Sequence, residues 1–181
     1  MPSTTPPARQ GLLGANYALI DIGAVNERHG SGRTYGPTVG LNLALTENAD
    51  LTTTVAYAKQ RDWPDSGNLV QLGGDWNFYL NYGHWKPFVV AGLGYQFSRA
   101  TGGDDFGLWD AGAGVEFMVA TRTALTLKAV DTGAFSKDIP SAWQYSLGAS
   151  HWIRTNLAVT AGVTFVEDDA IGYSIGARWG F

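Results

Sequence analysis

Residues 173–181 read YSIGARWGF, and the order of these nine letters decides the fold. Tyr173, Ile175, Ala177, Trp179 and Phe181 fall on one side of a period-two repeat, while Gly172, Ser174, Gly176, Arg178 and Gly180 fall on the other. Period two is the signature of a β-strand, whose successive side chains point to opposite faces. One face is bulky and apolar and the other small or polar, so this strand meets two different surroundings. The last residues of a soluble domain usually fray into water, which makes an aromatic-rich apolar face here unexpected.

The same alternation recurs upstream, giving ten segments from residue 14 onward. Tyr35, Pro37, Val39, Leu41, Leu43 and Leu45 oppose Gly36, Thr38, Gly40, Asn42, Ala44 and Thr46. Val70, Leu72, Trp76, Phe78 and Leu80 oppose Gln71, Gly73, Asp75, Asn77 and Tyr79. Further apolar sets begin at Leu51, Pro87, Trp109, Leu125, Trp143 and Leu157. The opening segment GANYALIDIGA is the least regular, because Tyr17 and Leu19 share a face with Asp21. We assign Asp21 inward, with a bulge able to change the register.

Composition agrees with many short strands. The chain has 181 residues, 24 glycines and 13% aromatics, while charged residues reach only 15%, against about 25% in soluble domains. Mean hydropathy is −0.08, and no window approaches the 18 or so consecutive apolar residues of a membrane-spanning helix. The net charge of −4 is unclustered, which argues against a nucleic-acid partner. The absence of cysteine removes disulfides and thiolate chemistry.

The connections alternate in length. VNERHGSGRT, RDWPDSG, SRATGGDD and TGAFSKDIPS are long and polar, TENAD, NYGHW, TRT and RTN are short, and VEDDA alone breaks the rule. Long loops at one end and tight turns at the other are the pattern of a closed antiparallel transmembrane barrel. The expected fold is therefore all-β: an up-and-down barrel of about ten strands, with eight as the alternative. Residues 13–181 form the barrel and residues 1–12 a flexible lead-in. In a soluble sandwich or lipocalin-like barrel the second face would carry Lys, Glu, Asp and Arg; here it carries Gly, Ala, Ser and Thr. Aromatic residues gather near both strand ends, Tyr35, Tyr57, Trp109 and Trp143 among them at one end and Phe78, Trp85, Phe117 and Trp179 at the other, as two interfacial girdles would.

KPFVVAGLGYQF and AGAGVEFMVATRTALTLKA resemble the internal motifs of the outer-membrane protein A and X type β-barrels of Gram-negative bacteria. YSIGARWGF resembles the terminal strand by which the barrel assembly machinery recognises its clients. The resemblance covers residues 85–181 well and the first half only by pattern. It implies a bacterial outer-membrane location, with any export signal already removed, contact with lipid and lipopolysaccharide, and an assembly signal in Tyr173, Trp179 and Phe181. Members of that family usually have eight strands. YSLGASHWI at 145–153 and YSIGARWGF look like a repeated strand, as if one hairpin had been added.

Catalysis is disfavoured. The loops are too short for the tall rim that carries the paired acids and His of omptin proteases. His151 lies on the lipid-facing set beside a turn, unlike the His–Ser–acid arrangement of lipid A deacylases, while His29 sits in a loop and His84 in a turn, so the three neither pair nor cluster for a metal. No cofactor or metal is expected. The inward charges carry more information: Asp75, Glu116, Lys128 and Arg178 lie three to five residues from their turn-side ends, so all four are expected in one slab of the lumen as a paired cluster, with Asp110 higher and unmated. Three function classes follow: a structural barrel with a polar lumen, a narrow diffusion channel, or a surface-binding protein acting through its loops. The sequence leaves the oligomeric state open.

Overall fold

A computed structural model describes residues 11–27, 32–61, 67–99, 104–136, 139–167 and 170–181. Ten strands follow one another: β1 Tyr17–Glu27, β2 Arg33–Thr46, β3 Ala49–Arg61, β4 Asn68–Tyr79, β5 Trp85–Ser98, β6 Phe106–Ala120, β7 Thr123–Ala134, β8 Ala142–Arg154, β9 Leu157–Val166 and β10 Ala170–Gly180. Each pairs antiparallel with its neighbour in sequence, and β1 pairs with β10, so the sheet closes on itself as a ten-stranded barrel. Closure satisfies every edge, which a sheet surrounded by hydrocarbon requires.

The connections alternate as the spacing predicts. β2–β3, β6–β7 and β8–β9 are joined at the turn end by residues 47–48, 121–122 and 155–156. In all three the ladder shifts by one residue just before the turn, at Ala44/Thr46, Met118/Ala120 and Trp152/Arg154. Each bulge adds local twist where the chain reverses. The seam pairs Tyr17 with Gly180 at the turn end and Glu27 with Ala170 at the loop end, so both chain ends meet at the turn side.

The outer face is the apolar one. Leu41, Val55, Trp76, Val89, Leu127, Leu147 and Ile175 are exposed large hydrophobics, spread around the whole circumference. Tyr82 stacks on Trp85 at the turn end and Trp143 on Tyr145 toward the loops, with ring centroids 5.2 and 6.3 Å apart. The first strand follows the inward assignment of Asp21: Tyr17 and Leu19 are 7% and 8% exposed, against 54% and 63% for Ile20 and Ile22. No bulge interrupts its pairing with either neighbour.

Buried apolar side chains collect inside the barrel at its turn end. Tyr79, Phe88, Val90 and Val130 form one cluster with Leu13 packed against it; Ala15, Tyr17 and Leu19 form another against Leu12. Residues 11–15 thus occupy the turn-side mouth, and the boundary expected between residues 12 and 13 falls within this inserted segment. Residues 1–10 of the expected lead-in lie outside the described residues.

Candidate functional site in the lumen

Residues 11–15 carry no strand period, and their main chain must find partners other than a sheet. Side chains of the barrel wall supply them. Leu12 and Leu13 donate their amides to the two carboxylate oxygens of Glu116, at 2.7 and 3.4 Å. Gly14 donates to Oδ2 of Asp50 at 2.8 Å. The carbonyls of Gly11, Leu13 and Ala15 accept from Trp152 Nε1 at 3.2 Å, Lys86 Nζ at 2.6 Å and Asn42 Nδ2 at 2.8 Å. A second layer steadies these groups: Asn42 also reaches Asp50, Tyr79 donates to Asp50 at 3.3 Å, Thr52 donates to Asn42 at 2.6 Å, and Lys86 lies over the Tyr79 ring. The wall residues come from five of the ten strands, β2, β3, β5, β6 and β8.

A second group lies at the seam. Arg178 of β10 grips Asp21 of β1 through both guanidinium ends, Nη1 to Oδ1 at 2.7 Å and Nη2 to Oδ2 at 2.9 Å. The planar fork matches the carboxylate, which makes this the strong form of ion pair. Thr160 adds a weaker contact to Asp21 at 3.4 Å, and the guanidinium stands 5.9 Å from the Tyr17 ring centre.

The third group is Asp75, Asp110 and Lys128. Asp75 pairs across the ladder with Gly92, and Gly92 with Asp110, so the two acids flank one glycine. A Cβ at Gly92 would overlap both carboxylates; its absence lets them converge. Lys128 lies within electrostatic reach of each. Two cavities meet here. One, about 360 Å³, extends from Leu12, Leu13 and Glu116 up to this level; the other, about 290 Å³, continues toward the loops past Gln71, Thr132 and Gln144. Asp75, Lys128 and Ser146 line both.

The single slab of paired charges is therefore divided in three. Glu116 turns to the inserted segment, Arg178 to Asp21, and Lys128 to Asp75 and Asp110, so that Asp110, expected without a mate, has neighbours of both signs. Distance from a strand end fixes height but not position around the barrel, and β10 lies across the lumen from β4 to β7. Asp50, Lys86 and Asn42 do not stand out as site residues in the alternation, although it puts Asn42 on the inward face, and it gives Asp21 no partner. The spacing puts Asp50 in the turn TENAD, but β3 begins at Ala49 and turns Asp50 inward. Lys86 could have been found by extending the inward set of β5 one step before Phe88.

Outside the lumen, Tyr173, Trp179 and Phe181 are all exposed on the apolar face, and the Phe181 amide donates to the Asn16 carbonyl at 3.3 Å. His151 pairs with Thr123 at 3.0 Å on that face, beside the β6–β7 turn. His29 lies outside the described residues.

Among solved structures, an outer membrane channel from Pseudomonas putida F1 matches with a TM-score of 0.63 at 10% identity, over 95% of this chain and 97% of that one. The translocator domain of the autotransporter NalP from Neisseria meningitidis gives 0.57 at 10% identity, over 96% of this chain and 91% of its own. The fold is that of outer-membrane β-barrels. At this identity the likeness extends to the fold alone. No protein-family model and no curated protein matches the sequence.

Proposed function

We propose that the chain is an integral protein of the bacterial outer membrane: a non-enzymatic, structural barrel with a polar lumen, of the outer-membrane protein A and X type enlarged by one hairpin. The observation that carries this reading is the continuous apolar exterior, with large hydrophobic side chains exposed on strands all around the barrel. Water cannot solvate such an exterior, whereas a hydrocarbon layer can. The repeat of YSLGASHWI in β8 as YSIGARWGF in β10 supports the added hairpin, since both strands run from the loop end to the turn end. Tyr173, Trp179 and Phe181 serve in this reading as the signal for the barrel assembly machinery, which their exposure on the seam strand supports, and the aromatic girdles support contact with lipid and lipopolysaccharide.

The test is solubility and heat-modifiability. The folded chain is expected to need detergent or lipid and to change its gel mobility on boiling. A monodisperse detergent-free monomer with native strand content overturns the reading. A second reading, a narrow diffusion channel, is favoured by one observation: two cavities above the inserted segment share Asp75, Lys128 and Ser146 in their walls.

A further inference from the structure

The turn-side mouth is occupied by a segment that belongs to no strand. Every polar contact between residues 11–15 and the wall uses the segment's main chain, while Leu12 and Leu13 add apolar contacts inside the lumen. Within the segment the structure gives one turn-like bond, Ala15 N–H to the Leu12 carbonyl at 3.2 Å. The segment is thus held to the wall by side chains that water or an ion could serve in its place. Resting on the membrane-barrel reading above, we infer that residues 11–15 are a displaceable plug, and that the barrel conducts cations when the plug is withdrawn.

Selectivity follows from the lumen charges, level by level. Asp21 and Arg178 neutralise each other. Among the described residues, Asp75 and Asp110 against Lys128 leave one negative charge, and Glu116 and Asp50 against Lys86 leave another. In the closed form Glu116 and Asp50 are engaged by the plug's amides; in the open form the same carboxylates face the aqueous path at its narrow mouth. A narrow lumen with a carboxylate excess admits cations in preference to anions. The space for a path lies in line: the plug forms the floor of the first cavity, and the second, sharing Asp75, Lys128 and Ser146 with it, lies toward the loops.

Two glycines permit a test that leaves the wall untouched. Gly11 and Gly14 have φ of +83° and +84°, where a side chain is strained, and a Cβ on Gly11 would overlap the Glu116 carboxylate. The Gly11→Val/Gly14→Val double variant, and separately a chain lacking residues 2–14, are to be recorded in planar bilayers under a potassium chloride gradient beside wild type. The expected result is a wild type that is closed nearly all the time and variants with open probability at least ~10-fold higher, reversing on the cation side. Asp50→Asn/Glu116→Gln in the truncated chain is expected to move the reversal potential toward zero. Two independent ways of removing the plug guard against one variant failing to fold, and heat-modifiability verifies insertion. Inserted, heat-modifiable variants as silent as wild type overturn the plug, as does a wild type that conducts equally well. Anion preference in the open variants overturns the charge assignment. If wild type itself neither inserts nor needs detergent, the membrane reading fails first.

Discussion

Replacing Asp21 with Asn tests the seam. The substitution keeps size and leaves Arg178 facing a neutral amide. Asp21 and Arg178 hold each other at 2.7 and 2.9 Å with their side chains only 21% and 13% exposed. Breaking a buried pair by neutralising one partner costs about 3–5 kcal/mol, because the other charge stays buried. The residual contact with lumen water lowers that, and we expect about 2–3 kcal/mol. That corresponds to a roughly 30- to 140-fold shift in the unfolding equilibrium, at about 1.4 kcal/mol per factor of ten. Urea unfolding in lipid vesicles, followed by tryptophan fluorescence, measures it on wild type, Asp21→Asn, Arg178→Met and the double variant. The double variant is expected to lose far less than the sum of the singles, with a coupling of about 2 kcal/mol. A coupling below about 0.5 kcal/mol, with all four proteins folded, refutes the pair as a stabilising contact.

Glu116→Gln should weaken the charge-assisted bonds to Leu12 and Leu13, so hydrogen exchange of those two amides should rise about tenfold while the strands keep their protection; unchanged exchange would show that Glu116 does not hold the segment. Lys128→Met should destabilise the barrel more in the native background than beside Asp110→Asn, read as the difference in urea midpoint, because Lys128 offsets two converging acids. Gly92→Ala should cost about 1–3 kcal/mol by forcing those carboxylates aside, measured by the same unfolding titration. Phe181→Ser should lower assembly in cells far more than refolding in detergent, and equal losses in the two assays would leave Phe181 a packing role only.

Period two carried the strands, their faces and the alternation of turns and loops into plain view, since a closed barrel with an apolar exterior imposes two surroundings on every residue pair. The face of Asp21 was legible for that reason. Its partner was not: Arg178 lies 157 residues away, and only closure of the seam makes them neighbours. Residues 11–15 were illegible as a lumen element because their binding is main-chain to side-chain, and main-chain groups leave no mark in the order of letters. Glu116 was rightly placed inward, but its partners were drawn from other strands when they lay in the segment before the first strand.

The closing of β1 on β10 also constrains how the molecule can be made. The contact joins positions almost a full chain length apart, so it carries a large loop-closure entropy and must form late. Until then the nine other pairings can exist only as an open, curling sheet with two unsatisfied edges, each a template for a stray strand. The seam also proofreads itself. A slip of one residue would turn Asp21 out toward hydrocarbon and bring Ile20 and Ile22 into the lumen, so the Asp21–Arg178 pair acts as a register pin that a misaligned closure cannot engage.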